Sequence, residues 1–394
     1  MSDDLRIVIR VRPAEAESST SEMCEHKGIG HPDSLCDGVV EAVSLALNRA
    51  YHEAYGRIQH YNVDKALLIG GQSRPRFGGG CIDVPMRLIV CGRATALPEL
   101  DLAVLVGAAA REYLDHNLHC DSSLIQIESA VRCGSPNLQQ IFARGKAVAL
   151  ANDTSFGVGF APLSRLESTV LQLADSLRSR PFRTQFPVAG DDYKIMGHRI
   201  GQALTLTLAV AMLDREVESV AHYFALKRSM VDTLAASLPA PCTLQLNMLD
   251  DPMATNENGI YLTVTGLSAE QGDDGQVGRG NRMNGLITPC RSMSLEAVAG
   301  KNPVAHVGKL YNAAANELAT ALAKLDPTFG TVSVQILSTI GRPVEKPSLI
   351  AIDIAGPPQL HEKSRRQIEA EVHRQLHSIA SLSDRLASGL IPAF

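Results

Sequence analysis

Glu25-His26-Lys27-Gly28-Ile29-Gly30-His31-Pro32-Asp33-Ser34-Leu35-Cys36-Asp37-Gly38 runs from a charged stretch through a glycine turn into the start of a helix. Pro32 suits a first helical turn, and Leu35, Val39, Val43, Ala46, Leu47 and Ala50 follow at helical spacing. Upstream, Leu5, Ile7, Ile9 and Val11 alternate with Arg6, Val8 and Arg10, which predicts a first strand. Downstream, the pattern predicts strands at 66–69, 86–91 and 124–131, with a helix at 102–114. Past Phe160 it predicts helices at 163–177, 217–234, 307–325 and 362–376, and strands at 243–248, 261–265, 332–337 and 349–354. An apolar stretch at 193–213 is broken by Gly197 and Gly201. Strands and helices therefore mix three times along the chain, with boundaries expected near 125–150 and 240.

The 394 residues suggest two or three domains, enough to bury a core without disulfides or metals. The 37 Lys+Arg against 42 Asp+Glu give a net charge of −5, which disfavours general nucleic-acid binding. The absence of Trp leaves few platforms for stacked bases. Eight cysteines show no C-x-x-C spacing and read as separate reduced thiols. Met1-Ser2-Asp3-Asp4 opens no secretory leader, and the apolar run Ala203–Leu213 is shorter than the ~20 residues that span a bilayer. A cytoplasmic location with no membrane contact is expected.

Several constellations carry chemistry. Asp33 and Asp37 are four residues apart at a helix start, beside His31 on the glycine turn. That set suits Mg²⁺ with a phosphate, and equally suits simple complementation of the helix dipole. Gly272-Asp273-Asp274-Gly275-Gln276-Val277-Gly278-Arg279-Gly280-Asn281-Arg282 matches neither a P-loop nor a dinucleotide fingerprint. Its glycines and arginines still allow close approach to an anion. Between 279 and 309 the basic residues are Arg279, Arg282, Arg291, Lys301 and Lys309, with His306, against the single acid Glu296. A local basic reversal in an acidic chain points to a polyphosphate site or to a solvated basic face. Gln72 ends a glycine pair, and Asp153 precedes the strand-like Phe156-Gly157-Val158-Gly159-Phe160.

Taken together, GIGHPDSLCDG (28–38), NVDKALLIGGQ (62–72), ANDTSFGVGFAPL (151–163), DDYKIMGHRIG (191–201), GDDGQVGRGNRMNGLITP (272–289) and AGKNPVAHVGKLYN (299–312) resemble the S-adenosylmethionine synthetase family, in its archaeal-type branch. The resemblance implies an α+β fold of three similar sheet-and-helix domains around a pseudo-threefold axis, with segments exchanged between domains. It implies adenosyl transfer from ATP to the sulfur of L-methionine, followed by hydrolysis of the triphosphate to phosphate and diphosphate. Mg²⁺ and K⁺ are the implied ions. A homodimer with active sites at its interface is implied, with a homotetramer as the alternative.

By the same resemblance, His31, Lys194, Arg279 and Lys301 are similar to the family's residues around the leaving triphosphate, and Asp33 to a Mg²⁺ ligand. Asp153 and Gln72 resemble methionine contacts, Asp273 an adenosine-side residue, and His306 and Lys309 further phosphate contacts. Asp64 and Lys65 stand in the same motifs without an assigned role, and Tyr261 is the nearest aromatic for adenine. Gly280 departs from the bacterial and eukaryotic pattern, where a second basic residue follows the arginine. The segment Arg132–Leu138 and the residues Cys290 and Ser292 also depart from the family pattern. Two rival readings remain at this level: an enzyme keeping the phosphate site but taking another acceptor, and a non-catalytic partner subunit.

Overall fold

Strands from distant parts of the chain build each main sheet. The computed structural model describes residues 5–13, 20–134, 149–357 and 359–394; the opening Met1–Asp4 and the departure at Ser135–Leu138 lie outside them. In chain order the strands are β1 (Arg6–Pro13), β2 (Ser21–Lys27), β3 (Tyr61–Ile69), β4 (Gln72–Arg74), β5 (Cys81–Val84), β6 (Met86–Ala94), β7 (Ile125–Cys133) and β8 (Phe156–Ala161). They continue as β9 (Ala189–Ile200), β10 (Ala203–Leu213), β11 (Cys242–Leu246), β12 (Leu262–Thr263), β13 (Gly275–Gln276), β14 (Val332–Leu337) and β15 (Leu349–Gly356). The helices are α1 (Pro32–Tyr55), α2 (Leu102–Asn117), α3 (Arg165–Arg178), α4 (Arg180–Gln185), α5 (Val220–Ala235), α6 (Val307–Ala323), α7 (Glu362–His377) and α8 (Ile379–Ala387).

The three main sheets are β13-β3-β6-β7, β2-β9-β10-β11 and β8-β14-β15-β1. Read in that direction, each pairs antiparallel, antiparallel, then parallel. In the first two, a helix (α2 or α5) carries the chain across to the parallel strand. In the third, the chain's first strand takes that place beside β15. The fold is thus mixed α+β, with three sheets of one pairing pattern.

Each sheet buries one face against helices. Val39, Val43, Leu47, Leu68, Leu88 and Leu114 join α1 and α2 to the first sheet. Leu166, Val170, Leu206, Leu208 and Met230 do the same for α3 and α5 on the second. Leu318, Val334, Ile352, Ile368 and Leu382 place α6, α7 and α8 on the third. The opposite faces keep apolar side chains exposed, among them Val8, Met23, Leu67, Phe156, Met196, Ile200 and Leu337.

Two expectations change in detail. The stretch at 193–213 is an antiparallel hairpin, turned at Gly201 with φ +58°. Its other glycine, Gly197, sits where a Cβ would lie 2.7 Å from Val170 on α3. The strand predicted at 261–265 shrinks to β12, because a carboxylate of Glu270 takes the amides of Val264 and Thr265. All eight cysteines are free thiols. Among the described residues, no helix is long and apolar enough to cross a membrane.

Candidate active site

The glycine turn is fixed by the second sheet. Gly28 N–H donates to Tyr193 O at 2.7 Å and Gly30 N–H to Asp191 O at 3.0 Å. His31 then caps α1, its Nδ1 accepting the Asp33 N–H at 3.2 Å. That bond leaves the ring proton on Nε2. Burial first, then Lys27, pushes the His31 pKa down to about 4, so the ring is a neutral donor near pH 7. Asp33 Oδ1 accepts the Gln276 amide at 2.9 Å, and Asp37 Oδ1 accepts the Gly278 amide at 2.8 Å. The two aspartates, one helical turn apart, therefore hold two alternate backbone amides of the glycine-rich loop at 272–282.

Lys27 and Lys194 stand directly opposite each other on the antiparallel pair β2–β9. Like charges in that relation repel. Glu25 lies between them, with Oε1 3.6 Å from Lys27 Nζ and 3.4 Å from Lys194 Nζ. Lys27 Nζ also donates to Asp33 Oδ2 at 2.8 Å and to Arg279 O at 2.8 Å. Lys194 is 44% exposed and the Arg279 side chain is exposed, so both cations reach outward from this frame. Asp33 has two of its lone-pair positions in use, which leaves a carboxylate able to join a Mg²⁺ held mainly by phosphate oxygens.

A second group surrounds Lys301. Its buried ammonium bonds Asp64 Oδ2 and lies 2.9 Å from Glu296 Oε1; Lys65 reaches the other Asp64 oxygen at 2.6 Å. Burial raises the Asp64 pKa, but Lys301 and then Lys65 outweigh it and leave the carboxyl below its usual range. Among the described residues, Asp153, Glu296 and His306 bring possible ligand atoms within 4.8 Å of one another, a set suited to an ammonium or a metal cation. His306 caps α6 through Nδ1, which accepts the Gly308 N–H at 3.2 Å. Burial, then Lys301, pushes its pKa down to about 3. Lys309 stands apart from this group: it is fully buried, with Nζ 2.6 Å from both oxygens of Glu41.

A third group lies where the glycine pair meets the glycine-rich loop. Gln72 lines a cleft of ≈ 650 Å³ with Ser73, Asp83, Glu257, Gln271 and Gly272. Asp273 Oδ2 accepts from Ser268 Oγ at 3.2 Å, and Ser268 in turn donates to Asp192. Burial first, and then the charges of Asp192 and Asp273, raise the Tyr261 pKa. The two glycine segments are packed together, since a Cβ on Gly70 would sit 2.5 Å from Gly272 Cα.

The structure thus gathers His31, Asp33, Lys194 and Arg279 in one place, and Lys301, Asp153 and His306 in another. Asp64 near Lys301 and Leu68, which pairs with Gly275, are four residues apart on β3, a separation of roughly 13 Å. Sequence reasoning left Lys27, Glu25 and Glu41 without roles. The alternation Met23, Glu25, Lys27 along β2 carries the signal for the first two, as it sets both on one sheet face. No local pattern marks Glu41, whose partner lies 268 positions away.

A family model described as S-adenosylmethionine synthetase (AdoMet synthetase) matches residues 6–390. The chain is 42% identical over 394 residues to the S-adenosylmethionine synthase of Pyrobaculum aerophilum, covering 95% of this chain and 96% of that protein. It is 44% identical over 364 residues to the S-adenosylmethionine synthase of Pyrococcus furiosus, covering 89% and 90%. It is 42% identical over 370 residues to a probable S-adenosylmethionine synthase of Aquifex aeolicus, covering 90% of each chain.

Proposed function

Because the chain belongs to the S-adenosylmethionine synthetase family and makes S-adenosylmethionine from ATP and L-methionine, we propose that the group around His31 holds the leaving phosphates and that the group around Lys301 holds the amino acid end. The observation that carries this is the opposed pair Lys27 and Lys194 beside a neutral histidine donor. Glu25 and Asp33 offset Lys27, which leaves the more exposed Lys194 as the cation of the pair turned outward toward an anion. The thioether of methionine is a neutral nucleophile and needs no general base. What it needs is in-line alignment with C5′ of the ribose and stabilisation of the departing triphosphate.

In this reading His31 Nε2–H, Lys194 and Arg279 donate to the phosphate chain. Asp33 joins a Mg²⁺, whose chemistry is to neutralise charge on the departing oxygens. Asp153 receives the methionine ammonium, with Lys301 on the adjacent phosphate or carboxylate. Gln72, on the cleft, serves the methionine side and Asp273 the adenosine side, with Tyr261 as the candidate aromatic for adenine. Hydrolysis of the triphosphate to phosphate and diphosphate follows in the same pocket. Lys309 supports α6 through Glu41 rather than touching substrate.

We also propose a homodimer that joins the two groups, one from each chain, by packing the helix-free sheet faces together. The exposed apolar side chains on those faces and the separation of the groups within one chain support it. The shared pairing pattern supports a pseudo-threefold arrangement of three domains, with boundaries near 125–150 and 240. A cytoplasmic location fits the free thiols.

The test is the His31→Asn variant, because Asn keeps a helix cap but not the Nε2 donor. It should lower kcat by about 10²–10³ and weaken inhibition by tripolyphosphate, with the methionine KM nearly unchanged. A raised methionine KM at parental kcat would move His31 to the other end of the site.

A further inference from the structure

We propose that Asp37 and Arg282 are a buried positioning pair that fixes the backbone of Arg279. The inference rests on the reading of Arg279 as a phosphate clamp and concerns how that clamp is held. Arg279 lies between Gly278 and Gly280, and glycine constrains a backbone least. Its surroundings supply the constraint. Asp37 Oδ1 accepts the Gly278 N–H at 2.8 Å. Arg282 Nη2 donates to Gly278 O at 2.6 Å and to Gly280 O at 2.7 Å. Lys27 Nζ donates to the intervening Arg279 O at 2.8 Å. Bonds from three side chains thus converge on three consecutive residues.

The pair also gives a physical cause for the departure at Gly280. A Cβ there would lie 2.3 Å from Asp37 Oδ2, so the carboxylate occupies the space a basic side chain would need. Behind the loop is a partly open cavity of ≈ 30 Å³ whose lining includes Asp37, Arg282 and Thr288. Asp37 Oδ2, Arg282 Nε and Thr288 Oγ1 are buried there without a hydrogen bond of full geometry. A single water fits that volume and can both donate and accept. A metal ion cannot accept from the Nε–H, so the cavity reads as a hydrated joint between α1 and the loop, not an ion site.

The test uses the full chain with ATP, methionine and Mg²⁺, and the variants Asp37→Ala, Asp37→Asn and Arg282→Lys, each alone and combined with Arg279→Ala. Asp37→Ala and Arg282→Lys should each lower kcat about tenfold or more, with the methionine KM within about twofold, and weaken tripolyphosphate inhibition in step. Asp37→Asn, which keeps an acceptor for Gly278, should recover part of the loss. In the Arg279→Ala background each should change kcat by less than about twofold, because a positioning residue has nothing left to position. Equal losses in both backgrounds, or parental kcat in folded variants, overturn the proposal and leave the clamp reading standing. Full activity of Arg279→Ala alone removes the clamp reading and the pair's role with it. If none of the three Asp37 and Arg282 variants folds, the pair belongs to stability and the proposal is wrong.

Discussion

Asp192 is enclosed on β9, where Oδ2 accepts from both the amide and the hydroxyl of Ser268. Burial pushes its pKa from 3.8 up to about 7. Between those values the folded chain binds a proton that the unfolded chain does not. The contribution to stability is therefore complete below about 3.8, is lost progressively as pH rises from there, and is gone above about 7. Asp192→Asn keeps an acceptor for Ser268 and removes the titration. Its melting temperature should fall less, relative to the parent, on going from about pH 4 to about pH 7, measured by thermal scans. Equal falls would show that Asp192 ionises normally. Lys309 is the second case at this scale. Lys309→Met leaves the Glu41 charge buried without its cation and should cost about 3–5 kcal/mol in denaturant titration. Adding Glu41→Gln should recover much of that, since the neutral amide keeps an oxygen for the Gly300 amide. If Lys309→Met unfolds like the parent but loses activity, Lys309 acts at the site after all.

Among the elements, β8 and α6 show how a strand makes room for a helix. A Cβ on Gly157 would lie 2.0 Å from the Tyr311 backbone, and one on Gly159 would lie 2.3 Å from Asn316 N. The helix backbone therefore rests on the strand itself. Gly157→Ala should destabilise by about 1–3 kcal/mol or more, because backbone cannot move aside as a flexible side chain can. Activity should fall with it, since α6 begins at the His306 cap and β8 follows Asp153. A variant as stable as the parent would show that the two elements can separate without penalty. The glycine pattern of β8 was legible beforehand. The identity of the element pressing on it was not.

For the whole molecule, the question is whether one chain makes a complete site. His31 and Asp153 lie in groups held apart along β3, so each active centre in the proposed dimer draws on both chains. His31→Ala and Asp153→Ala should each be inactive alone. Mixed by unfolding and refolding together, they should regain about a quarter of parental activity, because half the dimers are mixed and one of their two sites is intact. No recovery, with mixed dimers present by mass spectrometry, would place both residues in a site made by one chain. Glutamates at Met196 and Ile200 give the companion measurement, since both side chains are exposed on the second sheet. Sedimentation should then find monomers without activity.

By itself the sequence determined the local elements and the motifs. Periodicity decides helices such as α1, and capping residues such as His31 act within a turn of their own position. The 279–309 stretch was legibly basic, although its net effect was not, because composition says nothing of partners. Tertiary structure alone decided that Lys301 is bracketed by Asp64 and Glu296, that Lys309 is buried on Glu41, and that Lys27 faces Lys194. It also decided that the first strand completes the last sheet, pairing Arg6 with Leu349. The reason is range: propensity and spacing act over a few residues, whereas ion pairs and strand pairing join positions hundreds of residues apart. What the opening motif does chemically depends on that second kind of contact, since the glycine-rich loop that covers it arrives from 241 positions away.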